Sequence, residues 1–210
     1  GRVFHLARAG EAAVAQGDLV VGEPSETDIG TGNVSDTSAG ARIVSIDVNV
    51  DENEYQGGVL SVVEGTGAGF KYLIKSHTDG DGSGNKADFH LEEALQNQVA
   101  NSDTQFRLSQ NLLENTEQAD TGDSAPVLGK AMADPDADEY YWVQTWGPCL
   151  LHSDSSTSAF SQGDGLKPGA NDAGTVEDLG SADTVGSVGI AILANSSSGE
   201  WAEAMLRCMP

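Results

Sequence analysis

Residues 42–50 read RIVSIDVNV, and this stretch indicates the fold class more clearly than any other. Ile46, Val48 and Val50 fall at alternate positions, and the residues between them are polar. A period of two is typical of a β-strand with one buried and one solvated face. Further strands are predicted where similar apolar segments recur, at residues 58–63, 69–75, 104–108, 139–151, 188–194 and 200–209.

Glycine separates these segments. The chain has 26 glycines in 210 residues, together with many Ser, Asn and Asp residues, which is the composition of turns and loops. Short apolar segments with Gly-rich connections predict an all-β protein, a Gly-rich β-sandwich or barrel-like domain or domains with long loops and little helix. Residues 23–40 and 152–187 are predicted to be the longest loops.

The predicted domain organisation has three parts. Residues 1–10 form an N-terminal arm, residues 11–130 a β domain or subdomain with long loops, and residues 131–210 a C-terminal β subdomain. The two β parts are either separate or packed into one unit, because a chain of this length allows one core or two.

Charge excludes two classes of partner. The chain has 33 acidic and 10 basic side chains, for a formal charge of -23. Such a surface repels the phosphates of nucleic acids and the headgroups of anionic lipids. We therefore expect neither a nucleic-acid partner nor a membrane partner.

The first ten residues, GRVFHLARAG, carry no acidic side chain and are both cationic and apolar. One interpretation is the first strand of a sheet. The other is a docking arm for a capsid or a neighbouring subunit, because a cationic, apolar segment can bridge an anionic body to another protein. The predicted contact residues of the arm are Arg2, Val3, Phe4, His5, Leu6 and Arg8.

Two other segments allow alternatives. Residues 88–100 have Leu91, Leu95 and Val99 at helical spacing, whereas Phe89 and Leu91 also alternate as in a strand. Residues 139–151, EYYWVQTWGPCLL, read as an aromatic strand that is broken or bulged at Gly147-Pro148. That strand is either part of the core or a platform for stacking sugars.

Candidate metal ligands occur in one Gly-rich loop. Asp79, Asp81, Ser83 and Asn85 alternate with glycine or lie beside it, as at the start of a Ca²⁺ loop. The bidentate Glu that closes an EF-hand loop is absent, and His90 stands at its place. We expect no bound metal, or at most a weak Ca²⁺ site. A second acidic loop, without glycine, contains Asp134, Asp136, Asp138 and Glu139.

No catalytic motif is present. The chain lacks HExxH, GxSxG, P-loop and dinucleotide-binding patterns, so the sequence predicts neither an enzyme nor a cofactor. Cys149 and Cys208 lie in apolar segments and are interpreted as buried thiols, with a disulfide between the strands as the alternative.

One internal similarity is present. Gln16-Gly17-Asp18 and Gln162-Gly163-Asp164 each follow a short apolar segment. The repeat marks either two related β units or a favoured turn.

The order of motifs resembles a known group of proteins. The Gln-Gly-Asp turns, GTGAGFKYLIK at 65–75, LEEAL at 91–95 and WVQTWGPC at 142–149 are similar to minor structural proteins of tailed bacteriophages, particularly marine ones, that look like head decoration (cement) proteins. The similarity covers most of the chain, and its motifs are structural rather than catalytic. It implies strands rather than a helix around 89–95.

The resemblance also implies a role. It predicts a non-enzymatic protein of the virion, assembled in the host cytoplasm, without a cofactor, on the outer capsid surface. Its partner would be the major capsid protein, and it would form a homo-oligomer, expected to be a trimer. The alternative is a phage or bacterial surface module that binds glycans through Trp142, Trp146 or Trp201. A secreted hydrolase is the third hypothesis and lacks any supporting motif.

Overall fold

The computed structural model describes residues 1–22, 26–121, 126–155, 160–180, 186–194 and 199–208. Strands make up 47% of the chain, and the described residues contain no helix. The all-β prediction is therefore confirmed, and the antiparallel sheets curl into half-barrels. None of the described segments is a helix long and apolar enough to cross a membrane.

The strands of the described residues, numbered in chain order, are β1 Val3–Arg8, β2 Leu19–Gly22, β3 Glu26–Ile29, β4 Ile43–Ile46, β5 Asn49–Val50, β6 Val59–Glu64, β7 Lys71–His77, β8 Gly80–Asp81, β9 Ala87–Leu91, β10 Gln105–Ser109, β11 Thr116–Gln118, β12 Val127–Ala131, β13 Tyr140–His152, β14 Gly165–Pro168, β15 Val176–Asp178, β16 Gly189–Ala191 and β17 Trp201–Arg207.

The chain divides into two compact units. The first, called here the long-sheet unit, combines Gly1–Glu23 with Leu112–Pro210, and the second, the six-stranded unit, is Pro24–Asn111. These bounds differ from the predicted division at residue 130, because the N-terminal segment pairs with strands that come more than 90 residues later. A linear reading of composition does not show such a return of the chain.

In the long-sheet unit, nine of the described strands form one sheet. The order along it is β11-β2-β12-β13-β17-β16-β14-β15, and β1 pairs with β13. All four residues of β2 are buried, because Val20 packs into one core while Leu19 and Val21 pack into another. This explains why LVVG is apolar at three successive positions rather than alternating.

In the six-stranded unit, the sheet order is β3-β10-β6-β7-β9-β4, and β5 pairs separately with β8. Its core contains Phe89 and Phe106, which are fully buried. The helical interpretation of residues 88–100 is wrong, because Ala87–Leu91 is a strand between two others. Leu91, Leu95 and Val99 are all buried, but the strand and the turns after it bring them into the core.

Three other expectations need correction. The stretch 42–50 is two strands, β4 and β5, rather than one. The predicted loop at 23–40 contains β3, which pairs with β10. The predicted loop at 152–187 contains β14 and β15. In the two loops, polar residues have a weak intrinsic preference for β-strands. They form strands nevertheless, because neighbouring strands supply hydrogen-bond partners for their backbone.

The two Gln-Gly-Asp turns are built in the same way. Gly17 and Gly163 both have a positive φ, at 102° and 94°. Each glycine donates its N–H to an alanine carbonyl, Ala131 in the first case and Ala191 in the second, and each alanine N–H returns to the carbonyl of the Asp that follows the glycine. The repeated sequence thus marks repeated structure and not only a favoured turn.

Candidate binding face of the long sheet

Strand β13 is the centre of the long-sheet unit and carries its most exposed aromatic side chains. Tyr140 and Trp142 are 61% and 56% exposed, whereas Tyr141 and Val143, which alternate with them, are buried. The alternation is interrupted at Gln144, which is buried, and resumes on both sides of Gly147, whose φ of 98° is a left-handed conformation that favours glycine. The predicted break at Gly147-Pro148 is thus a local irregularity inside a continuous 13-residue strand.

Strand β1 lies along one edge of β13 and adds two apolar side chains to its exposed face. Leu6 pairs with Trp142, and Phe4 pairs with Gln144. Residues that pair across an antiparallel ladder share a face of the sheet. Leu6 is 51% exposed, so it lies beside Trp142 in solvent.

Met132 completes this group from the other edge of β13. Its N–H donates to the carbonyl of Trp142, and its side chain lines a shallow groove of about 390 Å³ with Phe4 and Trp142. We call the five side chains the aromatic patch; they are Phe4, Leu6, Met132, Tyr140 and Trp142.

Gln144 supports the strand next to the aromatic patch. Its side chain is buried, and its Nε2 lies 3.1–3.3 Å from the carbonyl oxygens of Trp146, Gly147 and Pro148. The amide thus provides donors to a backbone segment that the left-handed glycine turns out of the regular ladder. This contact fixes the direction of β13 on either side of Gly147.

Basic side chains border this face of an otherwise acidic unit. Arg8 pairs with Tyr140 in the β1–β13 ladder, and its guanidinium forms a 2.7 Å ion pair with Asp138. Lys130 pairs with Gln144, and its Nζ lies 5.4 Å from the centre of the Trp201 ring, within the range of a cation–π contact. Arg207 pairs with Trp146. The face is thus apolar in the middle and has basic side chains at its border, of which Arg8 is paired with Asp138.

The predicted arm is a strand of the sheet, and its residues have different environments. Arg2, Phe4 and Leu6 are exposed, whereas Val3, His5 and Arg8 are half-buried. Ala7 and Ala9 are buried in a core with Tyr141 and Val143. The first-strand interpretation of residues 1–10 is therefore correct for the fold. It leaves the docking interpretation open for Phe4 and Leu6.

The two cysteines are free thiols and are half-buried. Burial raises the pKa of Cys149 to about 11 and that of Cys208 to about 12. Both thiols are therefore protonated at neutral pH. They are also unreactive, because the thiolate is the nucleophilic form of cysteine.

The candidate Ca²⁺ loop is a turn held by its own hydrogen bonds. The Oδ1 of Asp81 accepts the backbone N–H groups of Ser83 and Asn85, at 2.8 and 3.1 Å, and these bonds lower the pKa of Asp81. Asp79 is exposed at the start of this turn. In the second acidic loop, Asp134 accepts the N–H of Gln16. Among the described residues, no group of three or more His, Cys, Asp or Glu side chains is arranged to hold a metal ion.

We expect calorimetric titration with CaCl₂ to show no site of micromolar affinity in this protein. The physical reason is that a tight site needs six to eight oxygen ligands, whereas an Asp81 oxygen already accepts two N–H groups and the closing Glu is absent. A micromolar heat signal that disappears in Asp81→Ala but persists in Asp134→Ala would show that the loop binds Ca²⁺.

Comparisons of this chain with protein-family models, with curated proteins and with solved structures found no match.

Sequence reasoning named Phe4, Leu6 and Trp142 as candidates, but in separate hypotheses, and it missed Met132 and Tyr140 as members of one patch. No local signal joins them, because Leu6 and Trp142 are 136 positions apart in the sequence and become neighbours only through the pairing of β1 with β13. For Tyr140, the alternation of β13 carries some information, because it places Tyr140 on the same face as Trp142.

Proposed function

We propose that this protein is a non-enzymatic structural protein of a phage virion that decorates the outer surface of the capsid. The observation that carries the proposal is the aromatic patch, an exposed apolar area with cationic neighbours on a protein of charge -23. Its partner is the major capsid protein, and its natural form is a small homo-oligomer, taken as a trimer.

Apolar area makes the patch adhesive. Large apolar side chains that are about half exposed still have substantial surface to bury, and full burial of such a side chain stabilises by about 1.5–3 kcal/mol. Covering the remaining surface of the five side chains gives on the order of 5 kcal/mol before the costs of association. Several copies in one oligomer then bind more tightly together than each does alone.

Charge explains why the contact is on this face. An acidic body is repelled by an acidic shell at distances up to the Debye length of about 10 Å at 0.1 M salt. Lys130 and Arg207 lie beside the patch and reduce that repulsion locally, whereas the charge of Arg8 is offset by Asp138. Exposed charges of this kind aid orientation and the rate of association more than they raise affinity.

The proposal is tested with empty shells assembled from the major capsid protein alone. We expect Leu6→Ser combined with Trp142→Ser to weaken cosedimentation with these shells by at least about 100-fold, because each residue contributes roughly 1.4 kcal/mol or more. The matched control is Leu73→Ser in the six-stranded unit, where Leu73 is 48% exposed.

Equal binding by the double variant and the wild type would refute the proposal, provided that both have the same urea midpoint. Sedimentation equilibrium of the free protein measures the oligomeric state independently, and a monomer would refute the trimer.

A second candidate function is glycan binding, which the exposure of Tyr140, Trp142 and Trp201 favours. Aromatic rings stack on the apolar faces of sugars, and an uncharged ligand is not repelled by an acidic protein. A glycan array that gives a signal lost in Trp142→Ala, without binding to empty shells, would favour this function over decoration.

A further inference from the structure

We propose that the long-sheet unit is an internal duplication that carries a second patch equivalent to the aromatic patch, and that the two patches together bind two identical capsid subunits related by a two-fold axis. The inference rests on the proposed function. It specifies in addition how the partner is arranged: two identical capsid subunits each present the same apolar surface, one to each patch.

The first evidence is the strand order. From its two ends towards the middle, the sheet reads β11-β2-β12-β13 on one side and β15-β14-β16-β17 on the other. In both halves the Gln-Gly-Asp turn precedes the second strand of the series, β2 or β14. Along the chain, each half also forms its strands in the same order. This order is β2, β11, β12, β13 in the first half and β14, β15, β16, β17 in the second.

The second evidence is the hydrogen bonding in each half. After the first strand of each series, Ala119 donates its N–H to the carbonyl of Leu19, and Leu179 donates to that of Gly165. These two acceptors directly follow the Asp of the two Gln-Gly-Asp turns.

The third strand of each series shows the same correspondence. Ala131 pairs with Val143, and Ala191 pairs with Ala204. One residue later, Met132 donates its N–H to the carbonyl of Trp142, as Ile192 does to that of Glu203. Met132 is therefore equivalent to Ile192.

The two halves meet at a pseudo-two-fold axis. Val143 and Ala204 are equivalent, because they pair with the equivalent residues Ala131 and Ala191. Three residues further along each strand, Trp146 therefore corresponds to Arg207, and these two residues pair with each other. On one side of them Gly147 pairs with Leu206. On the other side Cys208 donates its N–H to the carbonyl of Thr145. By the same count, Thr145 corresponds to Leu206 and Gly147 to Cys208. The two-fold operation therefore converts the Gly147–Leu206 contact into the Cys208–Thr145 contact, as at an isologous interface.

Strand β1 completes the symmetry. It pairs with residues 140–146 of β13, whereas β17 pairs with residues 146–152, and both run antiparallel to β13 along one edge. If β17 continued beyond Arg207, it would pair with residues 140–146 of β13. Strand β1 occupies this position instead. The pair Leu6–Trp142 then corresponds to Leu150–Glu203, and Arg8–Tyr140 corresponds to His152–Trp201.

This correspondence identifies the second patch. Leu150 and Trp201 are 47% and 52% exposed, as expected for the equivalents of Leu6 and Tyr140. We call the group the distal patch; its members are Pro148, Leu150, Ile192, Trp201 and Met205. Met205 stands at the place of Gln144, and the exposed Glu203 stands at the place of Trp142. Trp142 and Leu150 are eight positions apart on β13, a length of roughly 27 Å along the strand. The curl of the sheet shortens the distance in space, because the ring of Trp201 reaches Lys130 on β12.

Charge identifies the occupant. The long-sheet unit has 19 acidic and 5 basic side chains. Four of the five basic ones lie beside β13, on strands that pair with it or next to Gly147, and they are Arg2, Arg8, Lys130 and Arg207. Such a face complements an apolar surface with an acidic border. A second copy of the same face would oppose cation to cation, so the partner is a different protein.

The test compares three combinations of substitutions on empty shells of the major capsid protein. They are Leu6→Ser with Trp142→Ser in the aromatic patch, Leu150→Ser with Trp201→Ser in the distal patch, and all four together, with Leu73→Ser as the control. We expect each single-patch variant to bind at least about 100-fold more weakly than the wild type, because simultaneous engagement of two sites raises avidity by about 10²–10⁴. We also expect saturation at one chain for every two capsid subunits.

The outcomes separate the two proposals. If only the aromatic-patch variant is weakened, or if saturation occurs at one chain per capsid subunit, the two-fold partner is refuted and decoration stands. If neither patch matters, both proposals are refuted. Should a distal-patch variant fail to fold by its urea midpoint, Leu150→Ser alone replaces it, since Leu150 is about half exposed. An unchanged affinity in that variant also refutes two-site binding.

Discussion

A protein that lacks residues 1–8 is expected to lose the cooperative fold of the long-sheet unit. The deletion removes β1, leaves the edge of residues 140–146 without a partner and uncovers the buried side chains of Tyr141 and Val143. It also removes the carbonyl of Arg8 that accepts the hydroxyl of Thr116. Losing about six ladder hydrogen bonds at about 1 kcal/mol each is comparable to a total stability of about 5–15 kcal/mol.

Tryptophan fluorescence measures this effect selectively, because all three tryptophans belong to the long-sheet unit. We expect the deleted protein to show no cooperative urea transition in that signal. The matched control is Leu6→Ser, a substitution at an exposed position that should change stability by no more than about 0.5 kcal/mol. A transition at the wild-type urea concentration in the deleted protein would show that residues 1–8 are a dispensable arm.

This result bears on how docking can be tested. Because β1 is a strand of the sheet, deletion abolishes binding whether or not residues 1–8 touch a partner. Substitutions of Phe4, Leu6 and Trp142 are informative because their side chains are largely outside the core. The same argument applies to Trp201 and Leu150 in the distal patch.

The strands with alternating residues could be predicted from sequence, and β17 is an example. A period of two in this segment places Ala202, Ala204 and Leu206 on one face, and they are buried, while Trp201, Glu203 and Arg207 are exposed. Strand β3 could not be predicted in this way. Its sequence is ETDI, and its place depends on pairing with β10, where Arg107 forms a 2.7 Å ion pair with Asp28.

The candidate site shows the same limit. Four of its five members lie in the apolar N-terminal segment or the aromatic strand, which are visible because composition and alternation are local, whereas Met132 lies in neither. Their assembly into one face depends on non-local pairing, which no local pattern encodes. The repeated Gln-Gly-Asp turn was visible too, but the two-fold relation depends on the pairing of Trp146 with Arg207.

The second large effect is a loss of stability at alkaline pH. Burial raises the pKa of Cys149 to about 11 and of Cys208 to about 12, above the ordinary value of 9.0 that the unfolded chain retains. Below pH 9 both thiols are protonated in either state, and their full contribution to stability is present. As the pH rises from about 9 towards 11–12, the unfolded state releases protons that the folded state keeps, so the free energy of unfolding falls.

Urea denaturation followed by tryptophan fluorescence at pH 8 and pH 10 measures this loss. One pH unit above the unfolded pKa, each thiol accounts for between about 1 and 2 kcal/mol, or about 3 kcal/mol for the two together. The control is the double variant Cys149→Ala/Cys208→Ala, which retains the titration of tyrosine and lysine but lacks that of the thiols. We expect it to lose about 3 kcal/mol less than the wild type between the two pH values, and equal losses in both proteins would contradict the burial of the thiols as the cause.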